Sequence, residues 1–111
     1  MGLDVTIHDR DPGRVIELAG EAELATVGPL RDALAAAQEA EGPVVVDLRE
    51  VTLLDSSGLA ALLNAQRRLT RAGRKLSLIV TPGPVARILA VTKLDTTFAL
   101  ADTPTDALDL P

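Results

Sequence analysis

The sequence predicts a single α/β domain over residues 1–111, a mixed β-sheet with covering α-helices in the order ββαβαβαβα. Three observations carry this. Short apolar or alternating runs recur at 3–8, 15–19, 44–48, 75–80 and 97–100, the lengths and patterns of strands. The gaps after the second, third and fourth runs hold apolar residues at helical spacing. Gly and Pro punctuate the boundaries without any linker or repeat, and 111 residues suit one domain of about 100–150.

Taken in order, Leu3 to His8 alternates apolar and polar side chains, as a half-buried strand does. Asp11-Pro12-Gly13 is turn chemistry, so Val15 to Ala19 closes a hairpin. Gly20-Glu21-Ala22-Glu23 then reads as an acidic loop leaving the sheet. Thr26 is placed to cap a helix with Pro29 in its first turn. Val27, Leu30, Leu34 and Ala37 mark its inner face, with Gly42-Pro43 as the stop.

Val44 to Leu48 is apolar nearly throughout, as in a strand covered on both faces. A helix over 56–72 follows, with Leu59, Leu62, Leu63 and Leu69 inward, Asn64, Arg67, Arg68 and Arg71 outward, and Gly73 at its end. Lys75 to Val80 is another buried strand. Pro82-Gly83-Pro84 turns into a short helix whose apolar positions are Val85, Ile88, Leu89 and Val91. A last strand at 97–100 and a helix at 104–110 finish the chain. The predicted core includes Val45, Leu48, Leu62, Leu63, Leu78 and Ile88.

Composition narrows the function. A hydrophobic content of 47% supports a packed core, which must be aliphatic because Phe98 is the sole aromatic. The net charge of -5 argues against broad attraction to nucleic acid or an anionic membrane. The absence of Cys removes disulfide and thiol chemistry. Asp4, Asp9 and Asp11 leave no readable signal peptide, and no apolar run approaches the ~18–20 residues of a membrane span. The expectation is a soluble, cytoplasmic protein.

Asp55-Ser56-Ser57-Gly58 stands out, between Val51-Thr52-Leu53-Leu54 and the second helix. Asp and Ser are N-cap residues. One would suffice, yet two hydroxyls and a carboxylate precede a Gly that costs a first turn roughly 1 kcal/mol. Such a Gly fits where another backbone comes close. A helix N-terminus also tolerates an anion, so a hydroxyl there can carry phosphate without melting the helix. The plainer reading is that Ser56 and Ser57 only cap.

Other chemistries fit poorly. A serine hydrolase needs a base and commonly a Gly-x-Ser-x-Gly turn; Leu54 stands two before Ser56, and the only His is His8, on the first strand. There is no phosphate-binding Gly-x-x-x-x-Gly-Lys motif and no clustered metal-ligand set. No catalytic residue, metal site or cofactor is expected. The basic run Arg67, Arg68, Arg71, Arg74 and Lys75 reads as an exposed helix face and its exit, open to an acidic partner or a phosphate.

Leu53-Leu54-Asp55-Ser56-Ser57-Gly58-Leu59, after Val44-Val45-Val46-Asp47-Leu48, resembles the signature of STAS-domain anti-sigma factor antagonists. Gly20-Glu21-Ala22-Glu23 is similar to that family's Gly-Glu-x-Asp loop. Pro84 to Leu89 and Val91-Thr92-Lys93-Leu94 resemble its third helix and exit turn. The resemblance implies a STAS-type fold and a partner switch. Unphosphorylated, such a protein binds an anti-sigma factor with a histidine-kinase-like ATPase fold and releases a sigma factor. Phosphorylation at the position of Ser56 switches it off, and a metal-dependent phosphatase reverses this. Glu21, Glu23, Asp55, Ser57, Gly58 and Leu59 then fall at the partner surface, and the protein is a binder and substrate, not an enzyme. Glu23 replaces the usual Asp, and Lys93 the usual Gly. Related free-standing domains serve as cytoplasmic accessory subunits of lipid-transport ABC systems, without a phosphorylation cycle; that is the alternative. Neither reading includes direct nucleic-acid binding or membrane insertion.

Overall fold

The computed structural model describes residues 2–109. Its elements are β1 (Leu3–Arg10), β2 (Gly13–Ala22), α1 (Gly28–Gln38), β3 (Val44–Leu54), α2 (Ser56–Arg71), β4 (Leu76–Ile79), α3 (Pro84–Val91), β5 (Ala99–Ala101) and α4 (Pro104–Leu108). A 3-10 turn at Leu94–Thr96, unforeseen in the sequence, precedes β5. The order is the expected one. Leu110, placed in the last helix by the sequence reading, lies outside the described residues.

The strands run β1-β2-β3-β4-β5 across one sheet. β1 and β2 form the antiparallel hairpin, and the remaining neighbours are parallel. Crossovers of one hand in a sequential parallel order put their helices on the same face. Accordingly α1, α2 and α3 bury Leu30, Leu34, Leu62, Leu69, Val85 and Leu89 against Ile16, Val44, Val46, Leu48 and Leu78. The alternate residues Val15, Val45 and Ile79 face the other way, where α4 covers them with Ala107 and Leu108. This two-sided cover explains why β3 begins as an unbroken apolar run.

Several local expectations are corrected. Gly20, Glu21 and Ala22 stay in β2, paired with Val51, Leu53 and Leu54, instead of leaving as a loop. Register shifts on either side of Ala19–Gly20 and a Gly20 φ of 113° prolong the strand through a bulge, which the acidic sequence disguises. Thr26 is not a cap: α1 starts one residue later, after Val27, with no side-chain cap bond. The same helix ends at Gln38, before Gly42-Pro43 is reached.

In the core, Val45, Leu48, Leu62 and Leu78 are buried as expected. Leu63 is only partly buried, because the buried side of α2 runs through Gly58, Ala61, Leu62, Ala65 and Leu69. Ile88 is 36% exposed and Val91 77%. In an eight-residue helix, Val85 and Leu89 suffice to seal the contact. The end of α2 agrees with the sequence: Gly73 has a φ of 72°, its N–H donates to Thr70 and the Arg74 N–H to Leu69, a Schellman stop.

Candidate functional site

The site is built at the carboxyl end of β3, the middle strand, where open parallel sheets place their ligands and partners. The backbone N–H of Asp55 donates to the Ala22 carbonyl at 3.1 Å, so the ends of β2 and β3 are joined just before α2 begins. Asp55 is the N-cap, with extended backbone. Its Oδ1 accepts from the N–H groups of Ser57 at 2.8 Å and Gly58 at 3.2 Å. Its Oδ2 accepts from the N–H of Leu24 at 3.1 Å. One carboxylate thus caps α2 and ties the loop after β2 to it.

Ser56 and Ser57 are consequently not the caps that the plainer sequence reading makes them. Ser56 is the first residue of α2, exposed, and its hydroxyl has no hydrogen-bond partner among the described residues. Ser57 is half-buried. Gly58 is buried, and an added Cβ would stand 2.5 Å from Leu54 Cδ1, 3.0 Å from the Ala22 carbonyl oxygen and 3.2 Å from Ala22 Cβ. The close approach that its presence predicts is therefore real, but it is made by β2 and β3. Gly58 seats the helix against β2 and β3 and is itself buried. Leu59 is partly buried, packed against the core.

Glu21 and Glu23 flank the same corner, both half-buried. The hydroxyl of Thr26 donates to the Glu21 carbonyl and accepts from the Glu23 N–H at 3.1 Å. The Thr26 N–H donates to the Glu23 carbonyl at 2.9 Å. Thr26 thus pins the acidic corner that Asp55 holds from the other side.

What sequence reasoning missed is the apolar surface beside Ser56. Leu24 is 74% exposed, at the tip of the tied loop, and Leu53 is 41% exposed. Leu53 and Ile88 line a groove of about 280 Å³ between the end of β3 and the start of α3, with Thr52, Leu54, Gly83, Pro84 and the exposed cation Arg87. The signal was present as leucines in a polar loop and at a strand end. Periodicity assigns such residues to the core.

His8 sits elsewhere. It pairs in register with Val15, which pairs with Val45 near the start of β3. Nine residues of strand, at about 3.3 Å each, put some 30 Å between that level and Leu54. His8 instead contacts Glu17 on the exposed sheet face. No base reaches Ser56 from there. Among the described residues no group of three or more His, Cys, Asp or Glu is arranged to hold a metal, and no helix is long and apolar enough to cross a membrane.

A family model, "Mlab, STAS domain", matches residues 6–102. The chain belongs to the STAS-domain family. It is 31% identical to the anti-sigma-B factor antagonist of Listeria monocytogenes over 96 residues, 85% of this chain and 84% of that protein. Among solved structures, an anti-sigma factor antagonist from Mycobacterium paratuberculosis is 30% identical, with a TM-score of 0.81 over 96% of this chain and 91% of the other. The Bacillus cell fate determinant SpoIIAA in its phosphorylated form shares the fold at 24% identity, with a TM-score of 0.68 over 96% and 97% of the two chains. The homologues of this STAS domain are thus anti-sigma factor antagonists.

Proposed function

We propose that this STAS domain is a phosphorylation-controlled anti-sigma factor antagonist with Ser56 as its switch. Unmodified, it binds an anti-sigma factor that has a histidine-kinase-like ATPase fold, and a sigma factor is released. That partner transfers the γ-phosphoryl group of ATP to Ser56 Oγ, which gives up its proton as ADP leaves. A metal-dependent phosphatase hydrolyses the phosphoserine and restores the binder.

The observation that carries this reading is the division of labour at the start of α2. Asp55 performs the capping, while the Ser56 hydroxyl stands exposed and unbonded. A phosphate there adds about -1.5 to -2 charge without removing a cap, and the positive end of the helix favours it. The fold survives while the surface becomes more strongly negative. Around that point Leu24, Leu53 and Ile88 are exposed, the apolar content a protein interface needs at its centre. Glu21, Glu23, Asp55, Ser57 and Leu59 form the adjoining rim and support. A strongly hydrated dianion beside such a patch opposes docking.

Incubation with a cognate anti-sigma factor and ATP, followed by mass spectrometry, tests the assignment. Ser56 should carry the phosphate, and Ser56→Ala should carry none. Phosphate on Ser57 alone would overturn the assignment. No uptake with any candidate kinase would favour the accessory-subunit alternative of a lipid-transport ABC system.

A further inference from the structure

A second cleft lies on the outer surface of the helical layer, between α1 and α2, with a volume of about 400 Å³. Its floor is Leu34, Ala61 and Ala65, and the two small alanines let the helices approach. Its polar rim comes from Arg31, Asp32 and Gln38 of α1 and from Asn64 and Arg68 of α2. Asn64 and Arg68 are four apart and Arg31 and Gln38 seven apart, spacings that keep each pair on one helix face. The side chains of Arg31 and Arg68 have no hydrogen-bond or ion-pair partner among the described residues. The Gln38 Nε2 is buried without an acceptor.

We propose that this cleft binds a phosphate group, gripped from opposite walls by Arg31 and Arg68 and oriented by the side-chain amide of Asn64. The rim sets two positive charges against the one negative charge of Asp32, on a chain whose net charge is -5. A guanidinium presents a planar fork of donors that matches phosphate oxygens. A carboxylate is satisfied by one such fork, whereas phosphate has oxygens enough for two forks and an amide. The apolar floor keeps bulk water from screening the charges from below. Asn64 lies eight residues beyond Ser56, about 12 Å along α2, so this site is separate from the proposed switch and does not depend on it.

Backbone and side-chain NMR titration of the full chain with sodium phosphate, against sodium chloride at equal ionic strength, tests the proposal. Saturable shifts are expected at the Asn64 side-chain amide and at the Arg31 and Arg68 Nε–H groups. Arg31→Ala with Arg68→Ala should weaken binding at least about tenfold, and Asp32→Asn should tighten it. These residues are exposed, so spectra elsewhere should be unchanged. A parallel titration with AMP separates the sources: tighter binding than phosphate identifies a nucleotide, equal binding the free ion. Non-saturating shifts, or an equal loss from Arg67→Ala with Arg71→Ala on the same helix outside the cleft, would overturn it.

Discussion

Replacing Gly58 by Ala should destabilise the domain, although Ala is the better helix residue by about 1 kcal/mol. The new methyl would lie 2.5 Å from Leu54 Cδ1, 3.0 Å from the Ala22 carbonyl oxygen and 3.2 Å from Ala22 Cβ, where carbon contacts normally settle near 3.5–4.0 Å. The Leu54 tip can swing toward the groove it lines, but the Ala22 carbonyl and Cβ are held by the sheet and cannot give way as readily. The Ala22 carbonyl already accepts from Asp55, so moving it loosens the joint under the site. Overpacking of this kind costs about 1–3 kcal/mol. With the propensity gain subtracted, a net loss of up to roughly 2 kcal/mol remains. Urea unfolding at an unchanged m-value reads this directly. A stabilisation of about 1 kcal/mol, as at an open helical Gly, would refute the packing account of this residue.

Asp55→Ala should cost about 1–2 kcal/mol through the lost cap, and hydrogen exchange should quicken at the Leu24, Ser57 and Gly58 amides together. Leu62→Ala should cost about 2–5 kcal/mol in chemical denaturation, and the partly exposed Leu63→Ala clearly less. Lys93 holds a φ of 60°, so Lys93→Gly should stabilise by about 0.5–1 kcal/mol, seen as a raised melting temperature.

The helix faces and the strand order along the chain are legible because periodicity reports burial: Val27, Leu30, Leu34 and Ala37 fall inside together. The bulged end of β2 is not, since Gly-Glu-Ala-Glu has the composition of a loop and only pairing with β3 makes it a strand. Nor is Ile88, because in so short a helix two apolar spacings compete and tertiary packing chooses Val85 and Leu89. At the site, the motif Asp55-Ser56-Ser57-Gly58 is readable as a helix start. The allocation of roles within it depends on coordinates: Asp55 caps, Ser56 is free, and Gly58 packs inward. The tie from Asp55 to Leu24 spans 31 residues of sequence and no local pattern announces it.

The most direct test of the central claim compares the affinity of a cognate anti-sigma factor for this domain unmodified and stoichiometrically phosphorylated at Ser56. Desolvation and repulsion of the phosphate amounting to about 3 kcal/mol weaken binding by more than a hundredfold, while the circular dichroism and melting curves of the domain stay near those of the unmodified protein. Equal affinity for the two forms, measured by calorimetry on a folded phosphorylated domain, would contradict it.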